Sequence, residues 1–252
     1  MVHKFLVLAA AGAALVFGST LAVAAGPAVS KAIADAVANP ARPAADTARD
    51  ADRKPADVLA FAGVKSGQNV GEFIPGGGYY TRLLSSVVGT TGHVYALWPD
   101  GLAKARPQIV QASASIGPNV SVLTFGSGAL PVPEKLDLVW TSENYHDFHN
   151  APPGAPPADI AAFNKSVFDA LKPGGIYLIE DHAAAAGAAP GVTNTLHRID
   201  PGQAKTEVEA AGFKLVGESS VLANPADAHT APVFDPSIRG HTDKMLLKFR
   251  KP

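Results

Sequence analysis

The stretch Asn69-Val70-Gly71-Glu72-Phe73-Ile74-Pro75-Gly76-Gly77-Gly78-Tyr79-Tyr80-Thr81-Arg82 decides how the rest of the chain is read. Asn69 to Ile74 is a short β-rich run, and Pro75 stops it. Three glycines then separate it from Tyr80, Leu83, Leu84, Val87 and Val88, which fall on one stripe at helical spacing. Strand, glycine turn and helix in that order leave bare backbone at the carboxyl end of the strand. Glycine accepts positive φ and lets a ligand touch the main chain, and ligands of open α/β sheets lie at that edge. The turn is not a P-loop, because no Lys-Ser or Lys-Thr follows the glycines. Nor is it the dinucleotide fingerprint, because Ile74 and Pro75 hold the earlier glycine positions.

Working outward, β-rich runs recur at His93 to Leu97, Val120 to Phe125, Leu136 to Thr141 and Ile176 to Asp181. Most are continuously apolar rather than alternating, as strands covered on both faces are. Ile160, Phe163, Val167, Phe168 and Leu171 make a second helical stripe between two of them. These features predict an α/β domain with a mainly parallel sheet and helices on both faces. No helical segment separates Phe213–Val221 from Thr242–Phe249, so this pair is expected to close the sheet as an antiparallel hairpin with a long loop. Residues 151–157 and 183–191 are Pro-, Gly- and Ala-rich and read as surface loops beside the ligand edge.

On the amino-terminal side, residues 26–54 read as a helical arm or lid: a thin stripe at Val29, Ile33 and Val37, breaks at Pro40 and Pro43, then a polar helix from Ala44 to Asp52. The sheet domain is expected over 55–252, with Pro55 starting its first helix. Residues 1–25 carry Lys4, an uncharged run from Phe5 to Val23, and small residues up to Ala24 and Ala25 before Pro27. That is the pattern of a cleaved export signal, cut after Ala24 or Ala25, and it places the mature protein in the periplasm or outside the cell. An uncleaved membrane anchor is the alternative for the same run. No later segment is long and apolar enough to span a bilayer, so no membrane contact is expected after cleavage.

The 252 residues are 47% hydrophobic and 17% charged, enough apolar material for one sizeable core. Lys+Arg 21 against Asp+Glu 22 gives a net charge of -1, which removes the phosphate attraction that nucleic-acid binders rely on. With Cys 0, thiolate metal sites, cysteine nucleophiles and disulfides are excluded. The chemistry is left to histidine, carboxylate and main-chain glycine.

Glu72 followed by Gly76 and Gly78 resembles the first motif of class I S-adenosylmethionine-dependent methyltransferases, with Ile74 in place of the first glycine. Glu134-Lys135-Leu136-Asp137-Leu138-Val139-Trp140 is similar to that family's fourth strand, and Leu171-Lys172-Pro173-Gly174-Gly175-Ile176 to its turn into the fifth. Asn144 to Asp147, Asp181-His182 and His197 to Asp200 resemble a bacterial group of such methyltransferases that carry signal peptides. The resemblance implies a Rossmann-like class I methyltransferase fold with a seven-stranded sheet, S-adenosylmethionine as cofactor and a small-molecule substrate. It places Glu72, Pro75, Gly76, Gly77 and Gly78 along the amino-acid part of the cofactor. It brings Tyr80, Phe125 and Asn144 to the same site, and Trp98 to the adenine. Family members carry an acid near the end of the second strand for the ribose; here Trp98 stands near that point and Asp100 follows two residues on.

Asn144-Tyr145-His146-Asp147 ends one predicted strand and Asp181-His182 the next, so both groups reach the same carboxyl edge. His146 or His182 is expected as general base, each oriented by Asp147 or Asp181, with Tyr145 or Asn144 walling the substrate pocket. A divalent metal on Asp147, Asp181 and a histidine is a further reading, though the spacing matches no zinc motif. Two other function classes follow from the same residues. One is a periplasmic binding or sensing module on the same scaffold, since an exported enzyme needs a supply of a cofactor made in the cytosol. The other is a metal-dependent enzyme using the His/Asp cluster.

Overall fold

The computed structural model describes residues 28–150 and 158–252. The expected leader at 1–25 and the loop at 151–157 lie outside the described residues. Seven strands form one sheet: β1 (Asn69–Phe73), β2 (His93–Pro99), β3 (Val120–Phe125), β4 (Leu136–Ser142), β5 (Leu171–His182), β6 (Lys214–Glu218) and β7 (Lys244–Arg250). Their spatial order is β3-β2-β1-β4-β5-β7-β6. The first five pair in parallel, and β7 runs antiparallel to β5 on one side and β6 on the other. The expected parallel α/β sheet with a closing antiparallel pair is therefore present, with the last strand inserted between the fifth and sixth.

Helices α1 (Lys31–Val37), α2 (Ala44–Thr47), α3 (Asp50–Arg53) and α4 (Pro55–Ala62) precede the sheet. The polar helix expected over 44–52 is thus two short helices, and Pro55 opens the next at its first position, where its missing N–H costs nothing. Then come α5 (Tyr79–Val88), α6 (Asp100–Ala105), α7 (Pro107–Ala114), α8 (Ile160–Ala170), α9 (Val192–Leu196) and α10 (Pro201–Ala210). Side chains alternate across each strand, so the sheet feeds two cores. Val70, Val94, Ala96, Trp98, Leu138 and Trp140 pack with α1, α4 and α5. Phe73, Tyr95, Leu97, Val139, Tyr177 and Ile179 pack with α8 and α10.

The chain builds outward from β1 to β2 and β3, then returns to lay β4 against the other side of β1. That reversal opens a crevice between the carboxyl ends of β1 and β4, the usual ligand position in such sheets. At its lip Ile74 has φ +46°, a left-handed conformation that a β-branched residue rarely takes. Its N–H donates to the Leu97 carbonyl at 2.9 Å, which fixes the bend, and Pro75 restricts it further. Ile74→Ala is therefore expected to be less stable than Ile74→Gly, the reverse of the order at an ordinary site. Both lose the apolar contacts, but alanine keeps the Cβ that this conformation penalises by roughly 1–2 kcal/mol. Urea unfolding of the two variants checks the order.

Candidate functional site

Two cavities meet at the crevice. The first, about 260 Å³, is polar and is lined by Glu72, the turn Ile74–Gly77, Tyr79, Tyr80, Glu143, Asn144 and Asp147, with Arg49 and Arg53 reaching in from the arm. The second, about 670 Å³, is largely apolar and is lined by Ile74, Pro99, Asp100, Phe125, Phe148 and Phe163 among others, again with Asp147. Phe148 and Phe163 stack at 4.0 Å between centroids, and Phe73 meets Phe125 edge-on at 5.3 Å. Ile74 and Asp147 are the residues common to both linings.

The glycine turn exposes backbone to the polar cavity. A Cβ built on Gly76 or Gly77 would meet nothing within 4 Å, so a side chain there would project into free space. Gly78 is different: a Cβ there would stand 2.5 Å from Cδ1 of Ile116, and φ is +79°. It serves close packing and the left-handed start of α5, and it does not line the cavity.

Beneath the turn, Glu72 is 3% exposed and one of its carboxylate oxygens has no hydrogen-bond partner among the described residues. Burial pushes its pKa up to about 7, against the pull of Arg82 and Arg53. Holding its charge therefore adds no cost while it is protonated, below about 4.5, and the cost grows as pH rises to about 7. Glu72→Gln is predicted to match the wild type in stability at pH 4.5 and to exceed it at pH 8. Thermal melts at the two values check this, and an equal difference at both would contradict it.

Glu143, which sequence reading did not single out, lies in the same cavity. It turns the chain out of β4 at φ +56°, and its carboxylate is clamped by Arg53 on one oxygen and by Lys244 at 2.7 Å on the other. Burial raises this carboxyl, but the two cations outweigh it and hold it well below the usual range. The arm is tied down alongside. Asp50 takes a bidentate pair from Arg42 at 2.7 Å and a hydrogen bond from the Tyr79 hydroxyl at 2.6 Å, and Arg82 donates to Asp46 at 2.7 Å. Arg49 and Arg53 stand four residues apart, and both lie over the Tyr79 ring. That spacing was legible; the fold that brings it to the turn was not.

The histidine and carboxylate groups do converge. Asp181, fully buried, accepts from the Nδ1 and the main-chain N–H of His146, both at 2.8 Å, and from the N–H of His182 at 2.7 Å. The Nε2 of His146 lies 3.4 Å from Asp147. Burial lowers this imidazole's pKa, but Asp181 first, then Asp147 and Glu143, outweigh it and hold it above the usual value. His182 shares a hydrogen bond with Thr242 at 2.7 Å, and burial takes it down to about 4. Neither ring lines the two cavities; Asp147 does.

Other expected positions fall differently. Trp98 is 1% exposed in the α5-side core and lines neither cavity, because it shares strand parity with Val94 and Ala96. Asp100 lies at the apolar cavity instead. Tyr145 is fully buried on the opposite face, donating to Glu207 at 3.0 Å and accepting from Asn164 at 2.9 Å, so it is no pocket wall. Asn144 lines the polar cavity while donating to the Phe73 carbonyl at 3.0 Å, which ties the ends of β1 and β4 together. Tyr80 lines it too, its buried hydroxyl without a partner among the described residues. Among the described residues, no three His, Asp or Glu side chains gather to hold a metal ion, and no helix is long and apolar enough to cross a membrane.

Solved structures share this architecture. An S-adenosylmethionine-dependent methyltransferase from Aquifex aeolicus superposes with TM-score 0.53 at 19% identity, over 77% of this chain and 88% of its own. One from Mesorhizobium loti gives 0.53 at 16% identity, over 81% and 100%. The chain has the methyltransferase fold. The cyclase SpnF has it too, with TM-score 0.57 at 16% identity, over 83% of this chain and 81% of its own. No protein-family model and no curated protein matches the sequence.

Proposed function

We propose that the protein is an S-adenosylmethionine-dependent methyltransferase acting on a small molecule, and that residues 1–25 are an export signal. The observation that carries the reading is the paired cavity at the switch point: a polar chamber with an unpartnered carboxylate and bare glycine backbone, abutting an apolar, aromatic one. A ligand with a charged amino-acid end and a flat apolar end suits both. Glu72 would take its ammonium, the main chain of Gly76 and Gly77 would lie against it, and Phe125 and Phe163 would flank the base, with Asp100 beside the sugar. When bound, S-adenosylmethionine supplies a methyl group made electrophilic by its sulfonium.

The chain's own part is to bind, orient and handle a proton. Asp147 is the acid–base group that lines both cavities, and the Asp181–His146 pair lies behind it. The arm contributes Arg49 and Arg53 to the wall of the polar chamber. Isothermal titration of the purified protein with S-adenosylmethionine tests the reading, and no binding at millimolar ligand overturns it. A binding module without methyl transfer is the second reading, favoured by the absence of both histidine rings from the cavity walls; saturable binding without turnover on any acceptor would select it. N-terminal sequencing of protein recovered from a bacterial periplasm tests the leader, which predicts a start at Ala25 or Gly26.

A further inference from the structure

Resting on the cofactor reading above, we propose that Asp147 makes the site selective for ligand charge: it holds a cationic centre at the waist between the two cavities and disfavours the neutral counterpart. The waist is defined by the two residues that line both chambers, Ile74 and Asp147. One presents an apolar side chain and the other a carboxylate. A ligand filling both chambers has its middle there. In S-adenosylmethionine the middle is the sulfonium, set by bonding order between the amino-acid chain and the ribose; in S-adenosylhomocysteine the same sulfur is an uncharged thioether.

The other carboxylates of the polar chamber are differently placed. Glu143 is taken on both oxygens by Arg53 and Lys244. Glu72 lies within β1 beneath the glycine turn and does not reach the apolar chamber. Asp147 has no Lys or Arg partner among the described residues. Its charged neighbour is the His146 imidazole at 3.4 Å, on the side of Asp181. Its side chain is 49% exposed and lines both cavities. A carboxylate at the waist attracts the sulfonium and gives the thioether nothing. The consequence for turnover is release: loss of the methyl group removes the charge that Asp147 holds, so product leaves more readily than reactant.

The test is the ratio of dissociation constants for S-adenosylhomocysteine and S-adenosylmethionine, measured by calorimetry on wild type, Asp147→Asn and Asp147→Glu. The wild type is expected to prefer the sulfonium by about tenfold, the scale of one partly screened charge pair. Asp147→Asn should bring the ratio close to one, and Asp147→Glu should restore most of it. Added salt should shrink the preference of the wild type and leave that of Asp147→Asn unchanged. A ratio unaltered in Asp147→Asn, or a uniform loss of affinity for both ligands, overturns the assignment while leaving the cofactor reading intact. Failure of every variant and the wild type to bind either ligand overturns the cofactor reading itself.

Discussion

Gly77→Arg is expected to abolish binding of S-adenosylmethionine while leaving the thermal transition where it is. The two halves of that result have separate causes. A Cβ at this position meets no atom within 4 Å, and the φ of Gly77 lies outside the left-handed region, so the folded backbone tolerates a side chain without strain. The space the side chain enters is the polar cavity. It would bring a third guanidinium beside Arg49 and Arg53 and fill the approach to Glu72. A loss of more than a hundredfold, about 2.8 kcal/mol, is the expected scale. Equal affinity in the variant would show that the ligand lies elsewhere, and a large fall in melting temperature would show that the turn is packed more tightly than its geometry indicates.

Asp181→Ala is expected to be the most damaging single change near the site, costing about 3–5 kcal/mol of stability. Three donors lose their acceptor at once, and the imidazole of His146 is left buried without the carboxylate that charges it. For a chain of this size the melting temperature should drop by roughly 10 °C. The pH dependence has a definite sign. The Asp181 carboxyl is held below its ordinary 3.8, against the effect of burial, chiefly by His146, so its contribution is present above that value and is lost as pH falls through the lower folded one. The His146 imidazole is held above its ordinary 6.5, so its share is complete below that value and is lost as pH rises through the folded one. The gap between wild type and variant should therefore be widest between about 3.8 and 6.5 and narrow on the alkaline side. Denaturant melts across that range would expose a flat profile if the pair were not ionised.

The sheet was legible because its central strands are buried on both faces and read as unbroken apolar runs. The site was legible where chemistry follows the main chain: the turn at Gly76 and Gly77, and the edge positions of Asn144 and Asp147. It was not legible where the face of a strand decides. Trp98 sits two residues from Ala96 and four from Val94, and that parity sends it into the core behind α5 rather than toward a ligand. Tyr145 is adjacent to a cavity residue, yet the chain's turn after β4 sends it to Glu207 on the other side. Gly78 matches the resemblance in sequence, but its space is limited by Ile116, a neighbour brought in from beyond α7. Arg49, Arg53 and Glu143 come together only because the arm folds back, which no local pattern encodes.

The position of β7 also governs when the sheet can be closed. Synthesis delivers the chain from its amino end, and β6 has no neighbour in the sheet except β7, which follows it in the chain. Until then β5 remains an open edge, and Lys251, which bonds the carbonyls of Phe168 and Leu171, is not yet there to fasten it. A nascent chain thus keeps its sheet unsealed until β7 has been made, and a premature stop shortly before Lys244 would release a protein with an unprotected strand prone to pairing with other copies.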